Sequence, residues 1–112
     1  MRSMIALGMV FISFTSFANS SSLTVDKCLK KVKRYYYQNG QNSDTPLNFS
    51  FNHVLPAGIP LKNSQGKTVA LYDEDKLIYS VQGSYHSGWF NDVSIVNPKT
   101  CETVEIINIY SE

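Results

Sequence analysis

The chain has 112 residues, 10 basic and 9 acidic side chains, a net charge of +1 and two cysteines. That length supports one small core and not two. The near-neutral balance gives no reason to expect a nucleic-acid partner.

Residues 1–18 read as a secretory leader. Arg2 supplies a positive start, "IALGMVFISF" (Ile5 to Phe14) is an apolar run of leader length, and Ser16 and Ala18 are small residues at a cleavage site. The run is about half of what a bilayer-spanning helix needs, so no membrane anchor is expected in the mature chain. The mature domain, residues 19–112, is then periplasmic or secreted. In an oxidising space Cys28 and Cys101 are expected to pair, since they are the whole cysteine complement. Closing a loop of roughly 70 residues would stabilise the fold by about 4 kcal/mol on the chain-entropy account. A redox pair or zinc ligands would need a C-x-x-C or a recognised His spacing, and the chain has neither.

"LTVDKCLKKVKRYYYQNG" predicts a helix with Thr24 as N-cap and Asp26 in the first turn. Val25, Cys28, Leu29, Val32, Tyr35 and Tyr36 recur at three- and four-residue steps and form its inward stripe. Asn39-Gly40 predicts a left-handed C-cap. Lys27, Lys30, Lys31, Lys33 and Arg34 make this end of the chain basic, while eight acidic residues against four basic ones follow from Tyr35 onward. A solvated helix face is the plainer account of the basic run, and steering of a charged partner the sharper one.

"LNFSF" alternates Leu47, Phe49 and Phe51, a short strand, and the proline- and glycine-bearing "HVLPAGIPLKNSQG" suits an edge or a loop. "KTVALYD", "LIYSVQGSY", "WFNDVSIV" and "ETVEIINIY" read as a meander joined by "DEDK", "HSG" and "NPKT". Leu77, Tyr79, Val81 and Tyr85, then Trp89, Val93 and Ile95, then Val104, Ile106 and Tyr110 are the apolar positions, with the opposite sheet face expected in solvent. The fold class is therefore α+β: one N-terminal helix packed on a curved antiparallel β-sheet, with a single disulfide.

"GSYHSGWFND" (Gly83 to Asp92) concentrates the polar chemistry: Ser84, His86 and Asp92 beside the single tryptophan. A catalytic triad would need the three to converge with an oxyanion site, whereas a hairpin with His86-Ser87-Gly88 at its tip and a bulge at Gly83 explains the same residues. As strand neighbours, Trp89 and Phe90 point to opposite faces, so one is exposed. Tyr85, His86 and Trp89 are the expected partner contacts at this tip. Asp73, Glu74 and Asp75 form a second candidate contact, because consecutive acids in a tight turn lack the spacing of a calcium loop. His53 has no evident partner, and no catalytic, metal or cofactor site is expected.

The closing stretch "YSVQGSYHSGWFNDVSIVNPKTCETVEI", with its V-x-I-V-N-P-K-T before a final strand, resembles the terminal hairpins of PepSY-like, NTF2-like and cystatin-like domains. The resemblance covers about a quarter of the chain, residues 79–106, and departs from the pattern where Cys101 stands in place of the usual glycine. It implies a helix packed on a curved sheet, with Cys101 near a sheet end that the helix can reach. Those families include small exported inhibitors and immunity proteins. With the leader, the size and the lack of catalytic groups, it leads to an expected non-enzymatic binding protein of the bacterial envelope, an inhibitor or immunity protein acting on a toxin or hydrolase. The alternative is a structural or accessory subunit of an envelope or secretion assembly.

Overall fold

A computed structural model describes the backbone of residues 14–111 and the side chains of residues 27–111. The leader residues invoked above (Arg2, the apolar run, Ser16 and Ala18) lie outside the described side chains. Helix α1 spans Phe14–Asn39, and strands β1 (Asn48–Leu55), β2 (Leu61–Lys62), β3 (Thr68–Ala70), β4 (Lys76–Tyr85), β5 (Gly88–Val96) and β6 (Thr103–Ser111) follow. The helix starts well before Thr24, which therefore does not cap it. No glycine or proline interrupts residues 14–24, so nothing stops the helix there.

The inward stripe of α1 is Cys28, Val32 and Tyr36, all fully buried. Its outer stripe is Lys27, Lys30, Lys31 and Arg34, all exposed at the steps that put them on one face. The helix ends with Gly40 N donating to Tyr36 O at 2.7 Å and Asn39 Nδ2 donating to Tyr35 O at 3.0 Å. Neither Asn39 nor Gly40 adopts the expected left-handed conformation. Glycine is required at 40 for space: a Cβ there would stand 2.5 Å from the Tyr36 ring.

The main sheet is antiparallel in the order β1-β4-β5-β6. The expected meander holds for its last three strands. The "KTVALYD" segment is a correction: only Thr68–Ala70 is strand, and it pairs with Leu61–Lys62 in a separate two-stranded ladder. Its place beside β4 is taken by β1, which runs past Phe51 to Leu55 because a bulge at Asn52 shifts the register and lets pairing resume at His53.

A second correction concerns the sheet faces. Leu77, Tyr79 and Val96 pack with Cys28 and Val32, and Val81 and Phe90 with Tyr36, on the helix side. Ile78, Val93 and Ile95 form another cluster with Leu55 and Leu61 on the opposite side, joined by Val69, Ala70 and Tyr72. The β2–β3 hairpin thus covers part of the face expected in solvent. Register explains it: Tyr79 pairs with Ser94 and Ile78 with Ile95, so the apolar stripes of β4 and β5 lie on opposite faces. Lys76 to Val81 are consequently all buried. On β6 the simple alternation is broken by register shifts at Val104 and Ile109, which send Ile106 to the helix side and leave Val104 exposed.

Cys28 and Cys101 form the expected disulfide, with Cα atoms 4.9 Å apart. Cys101 closes the β5–β6 turn in the left-handed region, φ 64°. Its N–H donates to Asn97 O at 2.8 Å, while Asn97 Oδ1 accepts from the N–H groups of Lys99 and Thr100. Lys31 Nζ adds a 3.0 Å bond to Thr100 O, so α1 holds this turn by both sulfur and charge.

Candidate functional site

The β4–β5 hairpin separates the residues that a triad would require together. Ser84 lies on the face away from the helix, its Oγ 2.9 Å from Thr45 Oγ1. Asp92 lies on the helix face and is 1% exposed. His86 stands in solvent at the tip. The tip is tighter than expected: Tyr85 pairs with Gly88, leaving His86-Ser87 as a two-residue loop, and Gly88 is not in the left-handed region. Gly83 marks no bulge either, since register runs unbroken through its pairing with Phe90. It is glycine because a Cβ would sit 2.6 Å from Phe90 Cζ and 2.7 Å from Ser43 Oγ.

Asp92 is the centre of a buried polar network that the sequence did not reveal. Its Oδ2 accepts from Tyr36 Oη at 2.6 Å, and its Oδ1 from Asn108 Nδ2 at 2.8 Å. Gln41 Nε2 donates to both oxygens at 3.2 and 3.1 Å, and Gln41 Oε1 accepts from Tyr85 Oη at 2.6 Å. Donors from the end of α1, the following loop and β6 thus meet one carboxylate on β5, which satisfies a buried acceptor-only group without a cation. Burial, and next its donation to Asp92, push the Tyr36 hydroxyl well above the ordinary phenol value of 10.0. The network is built for holding the fold. The sequence reading put Asp92 on the solvent face, opposite Trp89, Val93 and Ile95, and its pairing with Val81 is what places it in the core.

The remaining candidate contacts occupy different places. Tyr85 is half-buried on the helix side, its ring centroid 5.2 Å from that of Phe90. Trp89 is 45% exposed on the other side and packs against Tyr110, centroids 4.9 Å apart, whereas Phe90 is buried. Asp73, Glu74 and Asp75 are exposed in the loop before β4, with Asp75 Oδ1 accepting from Ala57 N at 2.9 Å. The acidic turn and the His86 tip therefore sit at opposite ends of the ten-residue β4, about 30 Å apart at strand rise. His53 Nδ1 lies 2.9 Å from its neighbour Asn52 Oδ1. Among the described residues no three His, Cys, Asp or Glu side chains gather as metal ligands, and no helix is long and apolar enough to cross a membrane.

The register also assembles a surface that the sequence reading missed. Asn48 pairs with Gln82, Gln82 with Asn91 and Asn91 with Tyr110, which sets four side chains in one row across β1, β4, β5 and β6. Trp89, paired with Ser84, stands beside this row on the same face, and a shallow recess is lined by Thr45, Pro46, Asn48, Gln82, Gly83 and Trp89. Three amides and a tyrosine scattered over four strands carry no signal until the pairing is known. No protein-family model, curated protein or solved structure matches the chain.

Proposed function

We propose that the chain is a non-enzymatic binding protein of the bacterial envelope, exported after cleavage near Ala18, and that it acts as an inhibitor or immunity protein against a toxin or hydrolase. One observation carries this reading. The scaffold is braced at one end of the sheet by the Cys28–Cys101 bridge and at mid-strand by the Asp92 network, while the hairpin tip and the acidic turn carry exposed side chains. A braced scaffold loses little freedom on association, which favours tight blocking of an enzyme. The His86 tip with Trp89 is the first contact surface, and Asp73, Glu74 and Asp75 are the second.

The test is to incubate the purified protein with envelope hydrolases and toxins encoded beside its gene, then assay each enzyme. Stoichiometric loss of one activity, relieved when His86 and Trp89 are both changed to alanine, is the expected result. If no activity falls, the reading is wrong.

A second reading has its own support. β1 (Asn48–Leu55) is hydrogen-bonded on one side only and contains no Asp, Glu, Lys, Arg or Pro, and the bulge at Asn52 is its one defence against pairing. That edge suits an accessory subunit that self-associates. Sedimentation at micromolar concentration would then give a dimer or larger species, and a monomer would exclude it.

A further inference from the structure

We propose that the open half of the sheet face opposite the helix binds a neutral saccharide chain. The β2–β3 hairpin covers only the half of this face built on Ile78, Val93 and Ile95. The other half presents the cross-strand row Asn48, Gln82, Asn91, Tyr110, with Trp89 and Ser84 alongside.

The chemistry of that surface selects its ligand. Trp89 and Tyr110 are 45% and 36% exposed and packed on each other, so a contiguous aromatic surface faces water. The apolar C–H face of a pyranose covers such rings without stranding a polar group. Around them stand amides and hydroxyls, each able to donate and accept, as a sugar hydroxyl does. Among the described residues neither Asn48 nor Gln82 spends its side-chain amide on a hydrogen bond, and Asn91 Oδ1 is buried and accepts none from the protein. The row is fixed by backbone pairing and spans three interstrand spacings, about 14 Å, the reach of a di- or trisaccharide.

Charge decides against an anionic ligand. The row, Trp89 and Ser84 carry no formal charge, and the charged side chain beside them is an acid, Asp44, whose N–H donates to Ser84 O at 2.8 Å. An anionic polymer would therefore meet no cation among these residues. This inference stands independently of the inhibitor reading.

Trp89 is the only tryptophan, so fluorescence excited beyond the tyrosine absorption band reports this site. The experiment titrates the protein with tetramers of N-acetylglucosamine and of glucose, with polygalacturonate as the anionic comparison. Expected is a saturable emission change with a neutral tetramer that added salt leaves unaltered. Gln82→Ala and Asn48→Ala, at exposed positions, should each weaken it about tenfold, the loss of one to two hydrogen bonds, with the circular dichroism unchanged. Trp89→Ala, followed by calorimetry, should abolish it. No saturable change with either tetramer overturns the proposal. So does binding that Gln82→Ala and Asn48→Ala leave undiminished, or a response to polygalacturonate alone that salt removes. Gln82 and Asn48 lie off the hairpin tip, so their variants should retain any enzyme inhibition carried by His86, which separates the two readings.

Discussion

Tyr36 Oη, on the last turns of the helix, donates a 2.6 Å hydrogen bond to Asp92 Oδ2 in the middle strands, 56 residues away, and both side chains are buried. With Gln41 and Asn108 as further donors, the carboxylate ties four segments of the chain to one point. Asp92→Asn presents an amide hydrogen where only acceptors fit. It should destabilise the protein by about 2 kcal/mol in urea denaturation, the cost of leaving a buried donor unsatisfied.

The same pair sets the alkaline limit. Burial, then the bond to Asp92, raise the Tyr36 pKa above 10.0, and burial, then the bond to Glu105, raise that of Tyr72. The folded state therefore holds these protons more tightly than the unfolded chain. Their contribution is fully present below pH 10 and is lost as pH rises from there through the folded values. Stability measured against pH should fall above about 10, and Tyr36→Phe should reduce that slope while lowering stability at neutral pH.

Removing the bridge should cost about 4 kcal/mol, as expected for a separation of 73 residues. The replacement at 101 matters as well, because φ there is 64°. In a Cys28→Ala background, Cys101→Gly should be about 1 kcal/mol more stable than Cys101→Ala, since glycine alone adopts that conformation without penalty. Thermal melts of the two double variants decide it.

Gly83→Ala drives a methyl to 2.6 Å from Phe90 Cζ and 2.9 Å from Leu47 Cδ2. Overpacking of this kind should cost about 1–3 kcal/mol. Ser94→Ala should do the reverse. Ser94 is fully buried and its Oγ has no hydrogen-bond partner, so removing the hydroxyl should leave stability unchanged or raise it by up to about 1 kcal/mol. The denaturant midpoint should fall for Gly83→Ala and hold or rise for Ser94→Ala.

The helix, the disulfide, the last three strands and the exposure of one of the pair Trp89 and Phe90 were legible because each rests on local periodicity or on a count of two cysteines. What was not legible depends on register. Whether Val93 shares a face with Tyr79 or with Ile78 cannot be read from either strand alone, and the answer turned an expected solvent face into a second core. The role of Gly83 was hidden for the same reason, since pairing brings Phe90 and the loop residue Ser43 against it. Gly40 answers instead to the ring of Tyr36 one turn earlier, and neither glycine serves the turn chemistry that the residue usually signals. Thr24 misled because a good capping residue is also tolerated inside a helix.

β4 has neighbours on both sides and a layer on each face, so Lys76 to Val81 offer no position that looks outward. Randomising this stretch would be the quickest way to lose the protein, and grafting a new specificity has to spare it. The connections at its two ends are where variation between relatives should accumulate, and the places to alter first when redirecting the molecule to another target.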